Sequence, residues 1–136
     1  MKALLDENLP PSFAKALDAF SAVTQCQVCH SSEIAARGTD DVSLFAALAA
    51  AGIRIHVTQD QHNRRPIERC AIADAGLVVF VLQRSWSSQP FWNKATQLVR
   101  WWPQIVAHAE RMQPPAMFRV PWKPGGKGKF EQIPMR

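Results

Sequence analysis

The sequence predicts an α/β domain of three layers: a short, mainly parallel four-stranded sheet between helices, followed by a long C-terminal helix. Three observations carry this. Short apolar runs occupy residues 2–5, 53–58 and 77–82; amphipathic segments separate them; and the two kinds of segment alternate, which favours parallel strands joined by right-handed crossovers.

Residues 2–5 (KALL) form the first strand, ended by Asp6-Glu7-Asn8. Pro10-Pro11 open a helix whose Phe13, Leu17 and Phe20 recur at i, i+4 and i+7. Residues 21–28 (SAVTQCQV) are compatible with a second strand, and a polar stretch follows through Gly38. Thr39-Asp40-Asp41 supply N-cap chemistry for a helix with Leu44, Phe45 and Leu48 on one face, and Gly52 stands where that helix should stop. Residues 53–58 (IRIHVT) alternate as a third strand, and Asp60 arrives as it ends. Pro66 suits the first turn of the next helix, which is expected to face Ile67, Cys70, Ala71 and Ala75 inward and to close at Gly76. The run LVVFVL at 77–82 is apolar throughout, as a strand buried on both faces should be. Residues 90–111 read as a helix with Phe91, Ala95, Leu98, Trp102 and Ile105 on one stripe. Pro103 makes it either two helices meeting near Trp102 or one bent helix. Trp86, Trp92, Trp101 and Trp102 serve either to cover the sheet or to meet a partner.

At 136 residues and 47% hydrophobic content the chain fits a single domain over 1–112, followed by a basic Pro/Gly-rich tail over 113–136. From Arg119 onward, five basic residues face one acid, so this stretch holds +4 of the chain's net +5. A tail of that composition tolerates polyanions. No run approaches the ~20 apolar residues of a membrane span, so the chain is expected to be soluble and cytoplasmic, without membrane contact. Cys26, Cys29 and His30 spell the CxxCH of haem attachment. That reading is rejected, because it requires export and the pattern falls on a strand and its exit. A zinc site is also set aside, since too few N or S ligands remain to complete it.

With a strand order of 2-1-3-4, the order reverses between strands one and three. Ligands of open α/β sheets bind outside the carboxyl ends of strands at such a point. Asp6 and Asp60 follow those two strand ends, and Asp41 joins them if the loop after strand two folds back. Two carboxylates about 4 Å apart repel by roughly 4 kcal/mol at an effective dielectric of 20. Three together therefore call for a cation or shared protons, and an all-oxygen set suits Mg²⁺ or Mn²⁺. Such a cation acidifies a bound water and neutralises charge on phosphate oxygens. Arg64 and Arg65 follow the third acid, where guanidinium groups can clamp a phosphate. Glu7 is read either as support for Asp6 or as an outward ion-pair partner. Asn8 either orients Asp6 or caps the first helix.

Three segments, LLDENLPPSFAKAL, GTDDVSLFAALAAAG and IHVTQDQHNRRPIERCAIADAGLVVFVLQ, span residues 3–83 and resemble, in order and spacing, the PIN-like nuclease superfamily, specifically its small VapC-type toxin-like domains. The resemblance implies a metal-dependent endoribonuclease, often the toxin of a toxin–antitoxin pair, with acids from separate segments holding Mg²⁺ or Mn²⁺. Carried over by position, the first acid is Asp6, the second Asp41 with Asp40 as the alternative, and the third Asp60. Many relatives carry a further acid just after the third. Here Gln61, His62 and Asn63 occupy that stretch, which puts two-metal catalysis in doubt and leaves His62 or Asn63 to hold a water or substrate. RNA, a cognate antitoxin and a second copy in a homodimer are the partners this reading expects. A catalytically silent module that binds RNA or protein is the alternative.

Overall fold

The computed structural model describes residues 1–61, 65–123 and 130–135. Among these, the strands are β1 (Lys2–Leu5), β2 (Gln27–His30), β3 (Ile55–Thr58), β4 (Val78–Leu82), β5 (Ala116–Val120) and β6 (Glu131–Ile133). The helices are α1 (Pro11–Ser21), α2 (Asp41–Ala50), α3 (Pro66–Ala75) and α4 (Phe91–Arg111). The sheet order is β2-β1-β3-β4-β5-β6, parallel throughout except for the antiparallel β5–β6 pair. The expected 2-1-3-4 order stands, and the segment read as a basic tail adds two strands beside it. The run AMFRV is apolar enough to extend the buried sheet, a signal masked by its Pro- and Gly-rich flanks. The lysines and glycines at 124–129 lie outside the described residues.

Alternation along the strands assigns the two faces. Ala3, Leu5, Ile55, Val57, Val78, Phe80 and Leu82 pack with α1 and α4 in one core cluster. Leu4, Val79 and Val81 pack with Leu44, Phe45 and Leu48 of α2 and Ile72 of α3 in the other. By the same period of two, Asp6, His56 and Thr58 fall on the α2/α3 side, consistent with the edge-on contact of Phe45 with His56.

Several sequence expectations shift in detail. Strand two begins at Gln27, because residues 22–24 form a 3₁₀ turn and Gln25 takes a left-handed φ of 58°. Phe20 is 64% exposed, and α1 instead buries Phe13, Ala14, Leu17 and Ser21. On α3, Ile67 and Cys70 are exposed, while Glu68 and Ile72 are the buried residues. A glutamate on an inward face defies the apolar pattern, and Arg65, bonded to it at 2.9 Å, makes it tolerable. α4 runs unbroken through Pro103 and buries Leu98, Trp101, Trp102, Ile105 and Ala109, whereas Phe91 is half-exposed. Arg54 donates to the carbonyls of Ala109 and Met112 at 3.2 and 2.8 Å, satisfying acceptors that the end of α4 would otherwise orphan.

Three tryptophans serve the core. Trp86 donates to the Val120 carbonyl, Trp101 to the Trp122 carbonyl, and Trp102 to Ser21 Oγ at 2.8 Å. Trp92 points outward. His30 is occupied by the Leu9 carbonyl and Ser32 Oγ, and burial pushes the Cys26 and Cys29 thiols above their ordinary range. His30 therefore does structural work at the end of β2, while Cys26 precedes that strand and Cys29 lies within it. Among the described residues no helix is long and apolar enough to cross a membrane.

Candidate active site

β1 lies between β2 and β3, so the strand order reverses at its β3 side and opens a crevice at the carboxyl ends. Asp6 sits there, its N–H bonded to the Val57 carbonyl at 2.9 Å, which extends the β1–β3 ladder by one residue. Its side chain is 5% exposed. Thr58 Oγ1 donates to Asp6 Oδ2 at 2.8 Å, and His56 Nε2 lies 3.7 Å from Asp6 Oδ1. Burial pushes the Asp6 carboxyl up, but His56, the Thr58 hydroxyl and the Glu7 N–H together outweigh it and bring the pKa to about 2. Asp6 is thus a buried carboxylate held ionised.

The second acid-bearing segment reaches the same rim. The loop after β2 folds back, and the Gly38 N–H donates to Glu7 Oε2 at 3.0 Å. Glu7 therefore ties a loop to the end of β1 instead of making an outward ion pair. A cavity of about 10 Å³, room for roughly one water, is lined by Asp6 and Glu7 after β1, Ser31 after β2, and Thr39 and Leu44 at the start of α2. Asp40 is the N-cap of α2, its Oδ2 accepting from the Ser43 N–H at 3.0 Å, and this bond pulls its carboxyl pKa down. Asp41 follows it in the first turn of α2.

The third segment is anchored through Thr58, whose hydroxyl accepts from the Asp60 N–H at 3.0 Å while donating to Asp6. One buried hydroxyl thus links the Asp60 loop to the Asp6 carboxylate. Asn8 accepts from Gln59 N–H through Oδ1 at 3.3 Å, so it braces the same loop and does not cap α1, whose N-cap is Pro10. Arg65 directs Nε and a terminal nitrogen to Glu68 Oε1 at 2.9 and 2.7 Å, and its side chain remains mostly exposed. His62, Asn63 and Arg64, named from sequence as substrate or water contacts, lie outside the described residues.

The donors at this rim suit a hard divalent cation in kind. Asp6 is ionised, and among the described residues both buried ring nitrogens of His56 lack a hydrogen-bond partner within normal range, Nε2 being held 3.7 Å from the Asp6 carboxylate. A buried polar atom left so beside a carboxylate is the situation a water or ion resolves. Among the described residues no three His, Cys, Asp or Glu side chains are already grouped to hold a metal ion. Among the described residues the anchoring of the three loops is preformed, and a ready-made ligand cluster is not. Sequence reading missed His56, because an alternating strand hides a histidine among its inward residues, and it missed Glu68, because charge argued for the surface.

A parallel α/β domain with acid-bearing loops converging on the carboxyl edge of its sheet belongs to the nuclease-related class of fold. A family model described as a PIN like domain matches residues 1–84. The chain belongs to the PIN-like domain family, and its sheet and helix α4 continue past the matched region. Comparison with curated proteins, and with solved structures, gives no match.

Proposed function

We propose that the chain is a Mg²⁺- or Mn²⁺-dependent endoribonuclease that hydrolyses RNA phosphodiesters, acting as the toxin of a toxin–antitoxin pair. The observation that carries this reading is Asp6, a buried carboxylate kept ionised at the strand-order reversal and tied to the Asp60 loop through Thr58. Asp6, Asp41 and Asp60 would hold the cation. When bound, such a cation supplies neutralisation of phosphate charge and a water of lowered pKa. The chain's own residues do the rest: Thr58 keeps one Asp6 oxygen oriented, Glu7 holds the loop that leads to Asp41, and Asn8 braces the loop that carries Asp60. Arg65, once drawn from Glu68, meets a substrate phosphate.

The test is cleavage of single-stranded RNA by the purified chain with Mn²⁺ or Mg²⁺, compared with its Asp60→Asn variant. Loss of cleavage and weaker metal binding in a variant with an unchanged melting profile supports the reading, and undiminished cleavage removes it. The second reading, a silent module that binds RNA or protein, is favoured by the lack of three grouped ligand side chains among the described residues. RNA binding that survives chelation, with no cleavage under any metal, selects it. An antitoxin would cover the acidic rim or the outer face of α4, and co-purification with the product of an adjacent reading frame tests that partnership.

A further inference from the structure

Beside the acidic rim, an open cleft of about 360 Å³ is lined by Gln61, Gln83, Arg84, Ser85 and Arg119. Among the described residues, those that line it are all polar or basic, with no acid. The cleft lies at the carboxyl end of β4, where Gln83, Arg84 and Ser85 turn away from the strand, and Arg119 reaches it from β5, where it is registered against Val81. Gln61 joins the cleft to the acids. It directly follows Asp60, and its amide donates to the Gln59 carbonyl at 3.0 Å and to the Leu82 carbonyl at 2.7 Å. That pair of bonds fixes the Asp60 loop against the end of β4. Arg84 is exposed and has no side-chain partner among the described residues. Arg119 gives one terminal nitrogen to Glu131 at 3.0 Å and keeps its other donors.

We infer that this cleft is the track for the RNA backbone, with Arg84 and Arg119 taking successive phosphates of the strand whose scissile bond lies over Asp60. The inference rests on the nuclease reading and adds the place where the substrate binds. Guanidinium forks match phosphate oxygens, which is why arginine suits this task. Among the described residues the lining has no aromatic platform for base stacking, so the contacts it makes run through phosphate and sugar. Glu131 competes with the strand for Arg119 and sets the strength of that contact.

The experiment uses the full chain carrying Asp60→Asn, so that RNA persists, and a fluorescent single-stranded oligoribonucleotide titrated across a series of salt concentrations. Adding Arg84→Ala should weaken binding about five- to tenfold, the scale of one charge-assisted hydrogen bond to a partly solvated anion. It should also reduce the slope of log affinity against log salt by about 0.7, the loss of one single-strand phosphate contact. Glu131→Gln, which frees Arg119 without touching the core, should tighten binding two- to threefold, on the scale of a surface ion pair. Lys15→Ala on α1, across the sheet, removes the same charge and serves as the control. If RNA binds but Arg84→Ala and Glu131→Gln behave like the control, the track is refuted while the nuclease reading stands. If the cleft variants shift binding but the parent chain never cleaves RNA, the track stands and the nuclease reading falls. Absence of RNA binding by every form refutes both.

Discussion

Replacing Thr58 with valine keeps the side chain's shape and removes one hydroxyl that performs two tasks. Thr58 is 1% exposed, donates to Asp6 Oδ2 at 2.8 Å and accepts from the Asp60 N–H at 3.0 Å. A hydrogen bond to a charged group contributes about 1.5–3 kcal/mol, and loss of the bond from the Asp60 N–H adds about 0.5–1 kcal/mol. The expected loss at pH 7 is therefore about 2–4 kcal/mol, a fall in Tm of roughly 10 °C for a domain of this size. The acid side gives a second handle. The Asp6 carboxyl lies at about 2 in the fold against an ordinary 3.8, which corresponds to about 2 kcal/mol of stability. Because the folded value is depressed, that stability is fully present above about pH 4 and is lost as pH falls through the folded pKa near 2. Without the hydroxyl the Asp6 pKa rises toward its ordinary value, so the variant should lose less stability across the same window. Urea unfolding at pH 7 and at a series of acidic pH values, with a carbon-detected titration of Asp6, measures both effects. A variant within about 0.5 kcal/mol of the parent, the range of an ordinary surface change, refutes the linkage. So does an unchanged Asp6 titration.

Glu68→Met should be neutral or stabilising in thermal unfolding, since a buried carboxylate gives way to an apolar chain of similar length. Arg65→Ala should cost about 1–3 kcal/mol by stranding that carboxylate, with the exposure of Arg65 moderating the loss. Equal effects from the two substitutions would contradict the pairing. Glu7→Ala should cost only about 0.5–1 kcal/mol, the net value of one neutral-donor bond, yet hydrogen exchange at the Gly38 amide should quicken; unchanged protection there would show that Glu7 does not hold the loop. Gly76→Ala meets no atom within 4 Å but must adopt a φ of +66°, and the left-handed conformation should cost about 1 kcal/mol in chemical denaturation.

How the acid-bearing loops are anchored at one rim was only partly legible along the chain. Asp6 and Asp60 could be placed because each follows a strand whose apolar run is local, and a parallel order puts both ends on one rim. Asp41 depended on the loop after β2, and a bond from the Gly38 amide to Glu7 across the rim decides its course. Such a contact leaves no trace in periodicity. Burial of Glu68 and exposure of Phe20 and Ile67 were likewise hidden, because hydrophobic pattern reports an average preference while a particular partner, here Arg65, can override it.

By itself the sequence determined the alternation of strands and helices and their approximate ends, because local apolar spacing, prolines and caps are nearly sufficient for these; the 2-1-3-4 order was its natural arrangement, and the paired strands decided it. Tertiary structure alone decided that residues 116–120 and 131–133 extend the sheet, that His56 is buried with Nε2 3.7 Å from the Asp6 carboxylate, and that one threonine hydroxyl links two acid-bearing loops. Those outcomes depend on which surfaces remain to be covered once the first strands have paired, and on atoms meeting from segments about fifty residues apart. Spacing along a chain carries no record of such meetings.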